Sequence, residues 1–371
     1  MYLSQKEKSR RYQLVRQMIC EKKLSGLMLF SNAQINQQGF VRFFTDLPIP
    51  IFSHALLFLP DEEPFYFTPS PLQTYWAKKA SWVPEERIRL SKEPGQEMGK
   101  IIKGVGREAA AWGIVNYELM PARDYVALRS MCPEIELVDM TQAMEDLRGP
   151  KSSEELKLIR KSAKIVEFSH QLVAREMKRG ITEEALVAKV EEGLRERGAE
   201  RTFYLISSAP GGSYPYIPSD HRLDGKTPVL FSTEVSGPGG YWTQMVRTFF
   251  WQKPKGVLMD MYKALMEIRE AAYTELRPGR RISEVAEKMR AMIHARGFEY
   301  GVHFGHALGL DVVEEPLINT ANNCILKAGQ VIVIHPHLIH EKKSLSIWTG
   351  DTYLVREKKV ENLTPYDPNQ F

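Results

Sequence analysis

The chain has 371 residues, too many for one ordinary hydrophobic core, and its 43% hydrophobic and 26% charged residues exclude a disordered or fibrous protein. The formal net charge of +4 is small, and basic and acidic residues are interleaved, so no basic stripe argues for nucleic acid. No run of about 18 apolar residues suggests a membrane span, and the basic N-terminus lacks the apolar core of a signal peptide. We therefore expect a soluble protein of two domains.

The three cysteines are widely separated and odd in number, which predicts neither a disulfide framework nor a cysteine metal site. They are Cys20, Cys132 and Cys324. A reducing, cytoplasmic location is the simplest interpretation.

The first 150 residues alternate between helix-like and strand-like segments. Residues 5–23 place Tyr12, Val15, Met18 and Ile19 at helical spacing, which predicts an amphipathic helix. Strands are predicted by four short apolar runs, which read LSGLMLF, HALLFLP, EPFYFTP and ELVDM. This mixture predicts an α/β domain over residues 1–150, in which no chemical motif stands out.

A second domain, residues 151–371, begins where Gly149 and Pro150 break the chain. Ser152 and Glu155 then match the capping box that opens a helix.

Two stretches of the second domain, residues 175–200 and 274–299, have similar sequence patterns. Each has a helix end, a glycine break, an N-cap at Thr182 or Ser283, another helix and an Arg-Gly stop. A duplicated helix–helix–strand unit predicts two similar halves whose sheets meet around a cleft. Chance similarity between two amphipathic helices is the alternative.

Histidines mark two later segments, GHALGLDVVEEP at 305–316 and VIVIHPHLIH at 331–340. A glycine-flanked turn carries His306 into a predicted strand. Side-chain alternation on a second strand predicts His335 and His337 on one face, with His340 on the other and structural. The three imidazoles could hold a metal, exchange protons or line a pocket.

In their order and spacing these segments resemble the pita-bread peptidase family, which includes methionine aminopeptidase, aminopeptidase P, prolidase and creatinase. LSGLMLFSNAQINQQGFVRFF resembles the start of the creatinase-type N-terminal domain. DLRGPKSSEELKLIRKSA resembles the linker from that domain into the catalytic domain. GGYWTQMVRTFF, GHALGLDVVEEP and GDTYLVREKKVENLTP resemble successive signature strands. The resemblance implies an α/β (α+β) fold, with a creatinase-type N-terminal α/β domain followed by a pseudo-twofold pita-bread domain. It also implies a homodimer in which the N-terminal domain helps to close the partner's cleft.

Metal-dependent members of this family bind two divalent ions through Asp, Asp, His, Glu and Glu. The resemblance assigns these positions, in order, to Thr233, Gln244, His306, His335 and Gly350. Only His306 keeps the expected residue, and two hard cations need several carboxylate oxygens. We therefore predict that no dinuclear centre forms and that no cofactor is needed. One divalent transition metal on His306, His335 and His337 is the alternative.

Creatinase, the family's metal-free member, uses a histidine and glutamates as acid and base. The resemblance assigns these positions to Tyr216, Val246 and His335, so that mechanism does not transfer. A phenol at Tyr216 could still donate a hydrogen bond to a carbonyl oxygen. Arg222 or Arg247 could bind a substrate carboxylate, although a structural ion pair explains Arg247 equally well.

Three glutamates lie beside the assigned ligand positions. Glu234 should face away from Thr233 and form a salt bridge on the outer face of its strand, unless a bulge turns it. Glu314 and Glu315 either flank the site or belong to an exposed turn.

Three functions are compatible with these residues. The first is a hydrolase that cleaves a C–N or related bond of a small amide, amidine or amino-acid derivative without the dinuclear centre. Its catalytic residues would be His306, His335 and Tyr216, and its substrate-binding residues Gln244, Thr233, His337 and Arg222. The second is a non-catalytic pseudo-peptidase that binds a peptide or metabolite. The third is an aminopeptidase, prolidase or lyase with one histidine-bound metal.

Overall fold

The structure, a computed structural model, describes residues 1–211, 214–301 and 303–369, and its contacts divide the chain into two units, residues 1–148 and 149–371. The helices of the first unit are α1 (Gln5–Glu21), α2 (Gly39–Thr45), α3 (Pro71–Ala80), α4 (Pro94–Gly104), α5 (Ala122–Met131) and α6 (Thr141–Arg148). Its strands are β1 (Leu27–Ser31), β2 (His54–Phe58), β3 (Phe65–Thr68), β4 (Ile88–Leu90), β5 (Ala111–Val115) and β6 (Glu136–Asp139).

The first unit is organised around one sheet with the strand order β4-β3-β2-β1-β5-β6. Only β2 runs against its neighbours, so the other five strands end at the same edge of the sheet. Ser4 caps the N-terminus of helix α1, because its side chain accepts from the Glu7 amide. The helix buries Tyr12, Val15 and Ile19, as their spacing predicted. The predicted α/β character of this part of the chain is confirmed.

The second unit carries four helices and eleven strands in its described residues. The helices are α7 (Ser153–Glu176), α8 (Glu183–Glu196), α9 (Val257–Glu275) and α10 (Ile282–His294). The strands are β7 (Arg201–Ser207), β8 (Val229–Ser236), β9 (Trp242–Phe249), β10 (Glu299–Tyr300), β11 (Gly305–Ala307), β12 (Glu314–Leu317), β13 (Val331–Ile334), β14 (His337–His340), β15 (Leu345–Trp348), β16 (Asp351–Val355) and β17 (Val360–Asn362).

Two of the three predicted helix starts are confirmed. Ser152 and Glu155 form the capping box of α7, and the Thr182 side chain accepts from the Ala185 amide at the start of α8. The prediction for Ser283 is wrong, because Arg281 occupies the N-cap of α10. Pairing with Ile325 holds Arg281 outside the helix, and the Ser283 hydroxyl instead donates to the Asn323 side chain.

The two halves of the second unit have separate cores. Helices α7 and α8 pack on the antiparallel sheet β7-β8-β9, while α9 and α10 pack on β11 and β13 of the sheet β12-β11-β13-β16-β17. The halves meet at β9 and β16, where the Thr352 hydroxyl donates to the Gln244 carbonyl and accepts from its amide. No helix in the part of the chain that the structure describes is long and apolar enough to cross a membrane.

Candidate active site

Strand β11 positions His306 through the glycine before it. Gly305 has a φ of +151°, and a Cβ there would lie 2.0 Å from the Val333 carbonyl oxygen, so only glycine fits this close approach to β13. His306 itself is 3% exposed, and its Nδ1 lies 3.0 Å from the Ala307 carbonyl oxygen. If Nδ1 carries the proton for this bond, Nε2 keeps its lone pair.

His335 and His337 do not share a strand, because His335 lies in the break between β13 and β14; this corrects the prediction of one shared strand. Strand β13 ends before His335, and β14 begins at His337 in a separate sheet, β10-β14-β15. The physical reason is Pro336, which has no amide hydrogen to continue a ladder. Both imidazoles nevertheless face Trp348, with ring centroids 5.6 and 5.7 Å from it, and the indole nitrogen donates to the His335 carbonyl at 2.9 Å.

A third ring completes a cluster that the sequence analysis missed. His303 lies 5.1 Å from His335 and 5.9 Å from His306 between ring centroids, and His306 lies 5.6 Å from His335. We call these three residues the imidazole cluster. The H-x-x-H spacing of His303 and His306 is the sequence signal that points to this cluster.

The imidazole cluster is uncharged at neutral pH. Burial lowers the pKa of His306 to about 4, with a smaller contribution from His303. Burial and then the neighbouring imidazoles lower the pKa of His335 well below its ordinary value, and burial lowers that of His303. Neutral imidazole is the form that accepts a proton or binds a transition metal.

Strands β8 and β9 bring Glu234 opposite Gln244, and Thr233 opposite Met245. Because side chains alternate, Thr233 lies on the other face of the sheet from Gln244. Thr233 is therefore directed to the side of Phe231 and Val235, which pack in the core with α7 and α8. This corrects the placement of Thr233 beside Gln244, and Glu234 is the residue that shares that face.

The expectation that Glu234 forms a salt bridge on an outer face is wrong. The side chain is 6% exposed, and burial alone raises its pKa from 4.5 to about 8, with no charged neighbour contributing. Gln244, opposite it, donates from Nε2 to the Ser232 hydroxyl at 3.1 Å. The same face carries Val246, which packs with Trp348 beside the imidazole cluster. A protonated carboxyl group and an amide therefore line this face at neutral pH.

Tyr216 and Arg222 lie on the connection between β7 and β8. Tyr216 is 71% exposed and pairs through its backbone with Ile206, and the Arg222 side chain donates to the Gly180 carbonyl at 2.8 Å. Among the described residues of this connection, Tyr214 contacts an imidazole: its ring centroid lies 5.8 Å from that of His337.

Arg247 has the structural role that was its alternative. Its guanidinium donates to Asp351 at 2.5 Å, and the second Asp351 oxygen lies 2.8 Å from the Arg269 guanidinium. Both carboxylate oxygens of Asp351 are therefore engaged by arginines.

Glu314 is buried, which excludes an exposed turn at this position. Its carboxylate accepts from the amides of Leu310 and Asp311 at 2.9 and 3.3 Å, and from Lys151 Nζ at 2.7 Å. Glu315 is half-buried and accepts from the Leu317 amide. The buried pair of Lys151 and Glu314 fixes the loop that follows His306.

Gly350 leaves no room for a side chain beside His335. A Cβ at this position would lie 2.5 Å from the His335 Cβ, while the Gly350 backbone pairs with Val246 through two hydrogen bonds. We expect Gly350→Ala to lower the free energy of unfolding by about 1–3 kcal/mol, because the rigid neighbours cannot move away. Urea unfolding checks this, with Gly104→Ala as a control because nothing lies within 4 Å of a Cβ there. Equal effects of the two substitutions would contradict the prediction.

Comparison with known proteins identifies the family. The model of metallopeptidase family M24 matches residues 157–357, and that of the creatinase/prolidase N-terminal domain matches residues 11–149. An Xaa-Pro dipeptidase from Lactobacillus delbrueckii subsp. lactis is 27% identical over 80% of this chain and 82% of its own length. The uncharacterized peptidase YqhT from Bacillus subtilis is 28% identical over 57% of this chain and 61% of its own length.

Solved structures share the whole fold. A prolidase from Pyrococcus horikoshii OT3 has a TM-score of 0.85 at 21% identity, covering 98% of this chain and 100% of its own. An X-Pro aminopeptidase from Thermotoga maritima MSB8 has a TM-score of 0.85 at 17% identity, and the match covers 97% of this chain and 99% of the aminopeptidase. The expected creatinase-type N-terminal domain followed by a pita-bread domain is confirmed.

The matched family corrects one expectation from the sequence. Its members are described as metallopeptidases, so the prediction that no cofactor is needed is wrong. Within the described ranges no group of three His, Cys, Asp or Glu side chains has its donor atoms gathered for an ion. The resemblance to the pita-bread peptidases is confirmed, and the chain is a peptidase-like hydrolase that belongs to metallopeptidase family M24.

Proposed function

We propose that the protein hydrolyses a C–N bond in a dipeptide or related small amide, at the imidazole cluster and with one divalent transition ion. The observation that carries the proposal is the mutual contact of three neutral imidazoles, with ring centroids 5.1–5.9 Å apart. The Xaa-Pro dipeptidase named above supports dipeptides as the first substrate class to test.

The residues do not fit the dinuclear centre of the family. Gln244 and Gly350 provide no carboxylate, and Asp351 is engaged by two arginines. Hard divalent ions that share a hydroxide need several carboxylate oxygens. The sites assigned to this pair of ions therefore have too little negative charge to hold them.

A single transition ion fits the donor chemistry better. Three imidazoles that share a tetrahedral ion have ring centres roughly 5 Å apart, which is close to the separations in the cluster. His306 also has the backbone partner at Nδ1 that commonly orients a metal-binding imidazole. When bound, such an ion would polarise the scissile carbonyl and lower the pKa of a water molecule. We propose His303, His306 and His335 as its ligands, with His337 as the alternative third ligand.

Residues around the cluster would bind and orient the substrate. The protonated Glu234 carboxyl can supply a proton to the leaving nitrogen, and Gln244 can hold a substrate carbonyl or amide. Tyr214, Trp348 and His337 provide aromatic surfaces for the substrate side chain. Tyr216 and Arg222 remain candidates for substrate binding, and both are solvent-accessible in this arrangement.

The test combines metal content with turnover. Chelator-treated protein is reloaded with Zn, Mn, Fe, Co or Ni, its metal content is measured by plasma mass spectrometry, and Xaa-Pro dipeptides, amides and amidines are followed by mass spectrometry. We expect about one ion per chain, its loss in His306→Ala, and at least a roughly thousandfold loss of hydrolysis in His335→Ala.

His340→Ala is the matched control, because this histidine lies on β14 with its ring against Phe298 rather than in the imidazole cluster. It should keep both the ion and the activity. Failure to bind any of the five metals, together with no turnover, would favour the non-catalytic binding protein. Full activity in His335→Ala would refute the proposed site.

We also propose that the protein is a homodimer. Supporting this, helix α3 exposes three large apolar side chains, Leu72, Tyr75 and Trp76. Light scattering after size-exclusion chromatography measures the mass directly, and a mass near 42.6 kDa, that of one chain, would contradict the proposal.

A further inference from the structure

The first unit contains a cavity of about 570 Å³ at the edge where its parallel strands end. Phe30 at the end of β1, His54 at the start of β2 and the residues that follow β3 and β4 line it. In open α/β sheets this edge is where ligands bind. None of the functional residues discussed above lies in this unit, so the cavity has no role assigned to it.

Two buried polar side chains in the cavity wall have unused hydrogen-bonding atoms. Asp124 is 1% exposed, and its Oδ1 accepts from the Gly95 amide at 3.0 Å, while its Oδ2 is buried with no partner among the described residues. His54 has a hydrogen bond of 2.6 Å between Nδ1 and the Tyr66 hydroxyl, while Nε2 has none in the described part of the chain. An unsatisfied buried polar atom costs about 1–3 kcal/mol, which a ligand group would offset.

Two cationic side chains line the same cavity. Lys92 and Arg123 are exposed residues of its lining, and the nearest carboxylate oxygen of Glu93 lies 3.9 Å from the Arg123 Nε. Helices α3, α4 and α5 all begin at the cavity, and neither α4 nor α5 has a side-chain N-cap. The Gly95 amide of α4 is taken by Asp124, so the favourable field at these helix starts comes from the aligned peptide dipoles. Together with the two cations, this field favours an anion such as phosphate.

Phe52 adds an aromatic surface at the mouth of the cavity. Its side chain is exposed, and its φ of +60° lies in the left-handed region that bulky residues avoid. Such strain is found where a side chain is held in place for binding. An exposed ring at the mouth can stack on a flat ring of a ligand.

We infer that this cavity binds a small phosphorylated metabolite with hydroxyl groups, and that a nucleoside monophosphate fits it best. The phosphate would lie near Lys92 and Arg123 at the helix starts. A ribose hydroxyl would donate to the free oxygen of Asp124, and the base would stack on Phe52. The site is separate from the imidazole cluster and does not depend on the proposed hydrolase activity.

Titration calorimetry with the full chain tests the inference. The probes are adenosine 5′-monophosphate, uridine 5′-monophosphate, ribose 5-phosphate, adenosine and inorganic phosphate. We expect the monophosphates to bind at least about tenfold more tightly than adenosine or inorganic phosphate, since each of these lacks half of the contacts. Binding should be unchanged in His335→Ala, which distinguishes this site from the imidazole cluster.

Variants assign the contacts. The Asp124→Asn side chain can still accept from the Gly95 amide. We expect this variant to bind the monophosphates and ribose 5-phosphate about tenfold or more weakly, with no change in its affinity for inorganic phosphate. Lys92→Gln and Arg123→Gln should lower the affinity for every phosphate ligand. Lys103→Gln, in the last turn of α4, should leave these affinities unchanged. No binding at millimolar concentration, equal affinity for inorganic phosphate, or unchanged binding in Lys92→Gln with Arg123→Gln would overturn the inference.

Discussion

Lys151→Met is expected to lower the free energy of unfolding by about 3–5 kcal/mol, because it leaves a buried carboxylate without its countercharge. The side chains of Lys151 and Glu314 are 2% and 1% exposed, and their charged atoms lie 2.7 Å apart. Methionine nearly preserves the volume of the lysine, so the loss would report the missing charge. Urea unfolding followed by tryptophan fluorescence gives the measurement.

A double variant separates charge from packing. Lys151→Met with Glu314→Gln removes the isolated charge, and we expect it to recover part of the lost stability. An exposed pair provides the control: Lys100 and Glu97 also lie 2.7 Å apart, but on the surface of α4. Lys100→Met should cost less than about 1 kcal/mol. A Lys151→Met variant as stable as Lys100→Met would contradict the prediction.

This ion pair also links the start of α7 to the candidate site. Lys151 directly precedes the N-cap Ser152, and its amide donates to the Gly329 carbonyl. Glu314 holds the loop after His306 and is the first residue of β12, the strand that pairs with β11. We expect the variant to weaken any metal binding at His306 as well, because the loop loses its anchor.

Local sequence signals predicted much of the fold. The spacing of Tyr12 and Val15 located α1, and the residues Ser152 and Thr182 located the starts of α7 and α8. These signals act within a few residues and are therefore readable from sequence. The prediction of Ser283 as an N-cap failed because α10 begins where Arg281 pairs with Ile325, which lies 44 positions away in the chain.

The candidate site was less predictable because it depends on strand register. A shift of one residue moves a side chain to the opposite face of a sheet. Counting positions from Gln244 gave Thr233, whereas the pairing of β8 with β9 puts Glu234 opposite Gln244. The imidazole cluster likewise joins His303 and His335 from two segments, and no spacing within either segment reports their 5.1 Å separation.

Glu234→Gln is expected to stabilise the protein at neutral and alkaline pH. In the folded chain burial raises the pKa of Glu234 from 4.5 to about 8, so the carboxyl keeps its proton. In the unfolded chain the carboxyl ionises above pH 4.5, and folding must then take up a proton. The cost is absent below pH 4.5, grows up to pH 8 and is then constant; it is about 3 kcal/mol at pH 7. Glutamine avoids this cost because it never ionises.

Thermal melts of chelator-treated protein at pH 5 and pH 8 test the sign. We expect the gain in midpoint from Glu234→Gln to be several degrees larger at pH 8 than at pH 5. Glu183→Gln is the matched control, since that buried carboxylate accepts four hydrogen bonds from the amides and hydroxyls of Ser208 and Ser219. It should destabilise at both pH values by about 1–3 kcal/mol. A gain from Glu234→Gln that is equal at pH 5 and pH 8 would mean that Glu234 ionises normally, and the carboxyl could not then serve as the proton donor proposed for the leaving nitrogen.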